Sequence, residues 1–271
     1  MFAKPKLLAI GAVLGLAGLM PSQAQAHRAW MLPSMTVLAG DSETVSVDAA
    51  ISNELFVFEH HAMGLDHLAI TGPDGEPVAP SIIGTGKYRS VFDVPLTKQG
   101  TYRIASANSG MMGFYELNGE RKRWRGSADQ VSQIPKGAQN LKLTRSNSRT
   151  ETFVTLGAPN DTALAPTGEG LEMVPVTHPN DLVATEPAQM RFMLNGKPAA
   201  DLKIEFVEGG TRYRNEAGVQ NLTTDKDGLV TLEAPEAGMY FLEASARGEG
   251  AGASEPGWRA SYSAVLEFLP L

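Results

Sequence analysis

Apolar residues in this chain come in runs too short and too evenly alternated to build helices. Segments 43–51, 55–58, 67–70, 88–94 and 101–107 are rich in Val, Ile, Phe and Tyr, and several alternate apolar with polar positions. That period of two belongs to half-buried β-strands. A second set follows at 189–194, 202–207, 229–233, 239–244 and 264–268. Between the strands stand Gly72-Pro73-Asp74-Gly75, Gly84-Thr85-Gly86, Gln99-Gly100, Asn195-Gly196 and Asp227-Gly228. These supply the positive-φ and Pro-fixed positions that tight turns need. With no sustained helical period after the first 26 residues, the fold class is all-β.

Residues 97–104, Thr-Lys-Gln-Gly-Thr-Tyr-Arg-Ile, are echoed by 235–242, Pro-Glu-Ala-Gly-Met-Tyr-Phe-Leu. In each a turn glycine precedes by two residues a tyrosine that opens a strand, which supports two similarly built β-sandwiches. Residues 158–170, rich in Pro, Gly, Thr and Ala, read as a linker between an N-terminal sandwich, 27–157, and a C-terminal one, 171–271. Within the first, 109–150 reads as an irregular arm holding the strongly basic run Glu120-Arg121-Lys122-Arg123-Trp124-Arg125, most simply a solvated hairpin or loop.

The first 26 residues read as a secretory signal. Lys4 and Lys6 precede an apolar stretch, 7–20, which leads to the small-residue site Ala24-Gln25-Ala26. The stretch is shorter than the roughly 20 residues a membrane span needs. Cleavage after Ala26 gives a mature chain that begins at His27; Ser22-Gln23-Ala24 is an alternative site that leaves Gln25-Ala26 ahead of His27. Removing the signal moves the formal charge from −7 to −9, because it carries two lysines and no acid. An acidic exported chain lacks the basic footprint of a nucleic-acid binder and mildly favours cations. It contains no cysteine, which excludes disulfide scaffolds, thiolate metal sites and cysteine nucleophiles.

Four of the five histidines, His27, His60, His61 and His67, fall within 41 residues of one another. At a free N-terminus His27 offers an amine and an imidazole together, and a further imidazole from His60, His61 or His67 completes a nitrogen set suited to Cu(II), Ni(II) or Zn(II). If 60 and 61 lie in a strand their side chains point to opposite faces, so one of the two joins the site. The bland reading makes 59–67 a polar loop with exposed or hydrogen-bonded histidines. Met31, Met35, Met63, Met111 and Met112 are thioether candidates, though methionine is more often a core filler. Neither Gly-x-Ser-x-Gly nor His-Glu-x-x-His occurs, and no catalytic residue is assigned. Asp225-Lys226-Asp227-Gly228 resembles the start of a calcium loop but lacks the later glutamate, and suits a hairpin better.

His27-Arg28-Ala29-Trp30-Met31-Leu32-Pro33-Ser34, Gly170-Leu171-Glu172-Met173-Val174-Pro175, Asn195-Gly196-Lys197-Pro198 and 223–228, Thr-Thr-Asp-Lys-Asp-Gly, resemble in order and spacing the DUF4198 family of periplasmic proteins related to nickel/cobalt uptake. The resemblance implies two immunoglobulin-like or carboxypeptidase-regulatory-like β-sandwich domains. It also implies a non-enzymatic role in binding a divalent transition metal, nickel, cobalt or copper, and delivering it to a membrane transporter or receptor. Ala26-His27 matches the family's opening after the signal, whereas His60, His61 and His67 rest on the reading of this sequence alone. His178 falls where the family has Asn-Pro and is a poor ligand. Two rival functions are an envelope adhesion or interaction module without a metal site and, more remotely, a copper oxidase with a histidine brace.

Overall fold

The computed structural model describes residues 27–250 and 255–271; the expected signal, 1–26, lies outside them. In chain order the strands are β1 (Arg28–Pro33), β2 (Val37–Leu38), β3 (Glu43–Ser52), β4 (His61–Ala62), β5 (Leu68–Thr71), β6 (Ser81–Thr85), β7 (Ser90–Leu96), β8 (Gly100–Leu117) and β9 (Glu120–Gly126). Then come β10 (Gln139–Leu156), β11 (Leu171–Pro175), β12 (Ala188–Leu194), β13 (Lys197–Pro198), β14 (Lys203–Glu208), β15 (Gln220–Thr223), β16 (Leu229–Leu232), β17 (Gly238–Gly248) and β18 (Gly257–Phe268). They form a front sheet ordered β1-β3-β7-β6 with β4 on β3, and a back sheet ordered β11-β12-β13 with β16 on β12. Between them a central sheet runs β15-β14-β17-β18-β10-β8-β5, with β2 on β10 and β9 on β8.

The register of the central sheet decides where the two cores lie. On β10, Val154 and Leu156 join Val45, Val47, Phe92 and Val94 of the front sheet in one buried cluster. Phe153, one residue away and hence on the opposite face, joins Met173, Met190 and Phe192 of the back sheet in another. Pairing Thr152 with Val265 carries the same parity into β18, whose Tyr262, Ala264, Leu266 and Phe268 face the back sheet. Val265 turns the other way, to Trp30, Ala50 and Leu55. The front and back sheets therefore cover opposite faces of one continuous sheet, overlapping at β10 and β18, which run parallel.

The sequence echo marks a real structural repeat. Tyr102 donates its hydroxyl to the carbonyl of Lys98, and Tyr240 donates to that of Glu236, each four residues upstream. This is the tyrosine corner of immunoglobulin-like sandwiches, one in each half. The glycine two residues before each tyrosine has φ of +126° (Gly100) or +158° (Gly238), and at Gly100 a Cβ would come within 2.5 Å of Pro73.

Three expectations need correction. Residues 55–58 are a turn rather than a strand. Phe56 sits at φ +61°, and its ring and that of Phe58 pack against Trp30 with centroids 5.5 Å away, so these apolar residues plug the inter-sheet core instead of alternating along a strand. Residues 109–150 are not an irregular arm: the ends of β8 and β10, with β9 on the outside, form a regular three-stranded ribbon. Both ribbon faces meet solvent, so no apolar alternation announces it. The turn expected at 84–86 is also displaced: Gly84 and Thr85 belong to β6, and Gly86 donates to the Arg89 carbonyl to close the turn.

Residues 158–170 carry a short 3-10 turn, Thr162–Leu164, in which Ala163 and Leu164 are buried. Their end is fastened by an ionic cluster: Arg149 of β10 pairs with Glu151 at 3.2 Å and with Glu172 of β11 at 3.6 Å. Glu172 accepts from the Thr167 N–H and hydroxyl and from the Gly168 N–H, while Tyr262 donates to Glu151 at 2.8 Å. Those charged groups are almost wholly buried, and such groups hold only when each finds its partner.

Candidate metal centre

β3 is flanked at its C-terminal end by β1 and β4, and that neighbourhood gathers three of the four histidines. Arg28 pairs with Ser52, which sets His27 beside Asn53; His61 pairs with Ile51 from the other side. His60 precedes β4 in a bend, so strand alternation does not separate it from His61 as the sequence suggested. The His27 and His60 rings stand 3.8 Å apart at 30°, and those of His60 and His61 4.7 Å apart at 46°. His67 makes no ring contact with them; it lines a cleft that His27 also borders.

Glu59 orders the loop that carries His60. Its carboxylate accepts from the N–H groups of Asn53, at 2.6 Å, and Glu54, at 3.2 Å, and these bonds hold its pKa below the ordinary value. Asn53 in turn engages His27: its Oδ1 lies 2.7 Å from Nδ1. An amide oxygen only accepts, so Nδ1 carries the proton and Nε2 the lone pair. His61 is fixed alike, with Nδ1 donating to the Ala62 carbonyl at 2.9 Å. An oxygen acceptor on one ring nitrogen is the usual way a ligating histidine is oriented. Lost hydration first, then the neighbouring His27 and His61, lowers the pKa of His60, favouring the neutral form that binds metal.

The donor types suit a borderline divalent ion, but the geometry is not closed. Among the described residues no three His, Asp or Glu side chains converge on one point as placed. Imidazole lone pairs lie in the ring plane, so overlapped rings must turn to share an ion. All three are exposed side chains, free to do so. Chelation through the N-terminal amine and Nδ1 of His27 would also need the Asn53 bond to break, whereas Nε2 is already free.

The thioether candidates are dispersed. Met31 is wholly buried in the front core, Met35 is exposed on a loop, and Met111 and Met112 occupy opposite faces of β8. Only Met63 borders the cleft with His27 and His67. His178 is structural: Nε2 lies 3.0 Å from the Thr101 hydroxyl while Nδ1 accepts from the Asn180 N–H at 3.1 Å. Asp225 spends Oδ1 on the N–H groups of Asp227 and Leu229, as a hairpin turn requires.

The cleft, about 560 Å³, opens between the start of β1 and the central sheet. Its floor is lined by Ser106, Asn108, Ser148, Thr150, Ser261 and Ser263 on three adjacent strands. Short polar residues in strands carry no motif, and only the strand register reveals that they share a floor.

The fold and the paired tyrosine corners place the chain among immunoglobulin-like β-sandwich proteins. It belongs to the family described as Domain of unknown function (DUF4198), whose model matches residues 24–248. No curated protein sequence matches it. Similar solved structures include the D0-D1 domain of Intimin, at 11% identity and TM-score 0.21, covering 88% of this chain and 97% of that one. A Salmonella alpha-2-macroglobulin mutant, Y1175G, matches at 12% identity and TM-score 0.22, over 88% of this chain and 14% of that one. The two tandem V-type regions of VCBP3, a v-region-containing chitin binding protein, match at 9% and 0.20, covering 87% and 98%.

Proposed function

We propose that this is an exported periplasmic metal-binding protein that takes a divalent ion, nickel, cobalt or copper, at His27, His60 and His61 and passes it to a membrane transporter. The supporting observation is the three-ring cluster, with Nδ1 of His27 and of His61 already committed to oxygen acceptors. Removal of residues 1–26 is part of this reading, since it leaves His27 at the exposed start of the front sheet, where an ion can reach its Nε2. Exposed ligands suit delivery rather than storage, because an incoming ligand from a partner can reach the ion before the first set lets go. Among the described residues no helix is long and apolar enough to cross a membrane.

Titration calorimetry and Cu(II) electron paramagnetic resonance of the mature protein test the proposal. One ion per chain with nitrogen hyperfine splitting is expected. His27→Ala and His60→Ala should each weaken binding by roughly 100-fold or more, beyond what loss of an outer-shell partner causes, and His67→Ala should change it little. Wild-type affinity in both of the first two variants would rule the site out.

A further inference from the structure

The central-sheet face that begins under the front sheet continues far beyond it, and its chemistry changes along the way. Register carries one parity across the strands: Ile104 and Thr152, then Ser106 and Thr150, Asn108 and Ser148, and finally Phe114 and Lys142 stand in cross-strand pairs on β8 and β10. On β18 the same face shows Val265, Ser263, Ser261 and Arg259. On β9 it shows Arg121, Arg123 and Arg125 through the pairs Arg121–Glu116, Arg123–Phe114 and Arg125–Met112. An apolar zone covered by the front sheet thus gives way to a cleft floor of hydroxyls and an amide, edged by the Glu243 carboxylate opposite Ser263, and then to an exposed cationic zone.

Those cations lack internal partners. Arg121, Arg123, Arg125 and Lys142 are exposed and form no ion pair among the described residues. Arg121 instead lies over the half-open ring of Phe114, 4.2 Å from its centre. Arg247 and Arg259 stand directly opposite each other on β17 and β18; burial raises the pKa of Glu243, and of the two Arg259 lies close enough to lower it. In a chain of net charge −7, this much positive charge on one face makes a local field that attracts anions.

We propose that this face, from cleft to ribbon tip, binds a linear acidic polysaccharide. The ligand must present anions to the arginines and hydroxyls to the cleft floor. Uronic acid chains carry both, repeatedly, along an extended strand. Alternate arginines on β9 lie roughly 7 Å apart, within reach of carboxylates on successive sugars. An anionic membrane would meet the ribbon but not the cleft, and an acidic peptide would have no use for the cleft hydroxyls.

The test is binding of fluorescein-labelled oligoalginate to the mature protein, followed by anisotropy in low salt with EDTA present, against dextran, polyglutamate and phosphatidylglycerol vesicles. Alginate binding that weakens with salt, with dextran unbound, is expected. Arg121→Ser/Arg123→Ser/Arg125→Ser should weaken it at least about tenfold, as loss of several anion contacts does in other polyelectrolyte complexes. Asn108→Trp, an exposed change that fills the cleft floor, should weaken alginate but not polyglutamate; circular dichroism checks that both variants fold. The proposal is overturned if alginate does not bind, if either variant binds it as well as wild type, if polyglutamate binds as tightly, or if only vesicles bind. Chelator in every sample keeps the outcome independent of the histidine site.

Discussion

His60 shows how a single residue's chemistry depends on neighbours that sequence distance conceals. Its lowered pKa means the folded protein holds the proton less tightly than the unfolded chain, where the ordinary value is 6.5. Folding stability from this group is therefore present above about pH 6.5 and lost as pH falls through the depressed folded value. In the metal-free protein the His60 ring, followed by NMR between about pH 4 and 8, should titrate with its midpoint below 6.5; a midpoint at or above 6.5 would contradict the cluster's geometry. The clustering of histidines was legible in the sequence, and the donor type with it. What could not be read was which of them meet. That depends on β1 and β4 flanking one end of β3, on a bend that frees His60 from strand alternation, and on Asn53 and Glu59, whose roles are hydrogen bonds with no motif of their own.

Elements with one buried face were the legible ones. β3, β7 and β12 alternate because every second residue enters a core, and their positions follow from the sequence within one or two residues. The ribbon of β8, β9 and β10 has no such face, which is why it read as an irregular arm. Between residues 112 and 143 only Gly113 is buried. Regular hydrogen bonding there adds little to global stability, since its strands cover no core. Replacing 113–143 by Asn-Gly, a two-residue turn that suits the hairpin joining the paired Met112 and Thr144, should leave urea-unfolding stability within about 1 kcal/mol of wild type. It would also abolish the proposed polysaccharide binding. A much larger loss would show that the ribbon supports the sandwich rather than projecting from it.

At the scale of the molecule, the linker composition of 158–170 and the repeated tyrosine corner invite a picture of two beads on a string. β10 argues for a different behaviour. It supplies Val154 and Leu156 to the front core and Phe153 to the back core, and it joins β8 on one side to β18 on the other. Sequence pattern could not show this, because a strand buried on both faces reads the same whichever sheets it separates. Arg149 stands on that shared strand and faces Glu151 and Glu172, the latter in the back sheet. Arg149→Ala leaves two carboxylates almost wholly buried beside no paired cation, a loss on the order of 3–5 kcal/mol. If the halves unfold together, calorimetry should give one transition whose calorimetric and van't Hoff enthalpies agree, in wild type and variant alike, with the variant's whole transition moved to lower temperature. Fragments 27–157 and 158–271 should then each lack a cooperative transition, because each exposes a long edge of the central sheet and the core face that the other half covers. Two transitions, of which Arg149→Ala shifts one alone, would restore the beads and make the shared strand a point of contact rather than of unity.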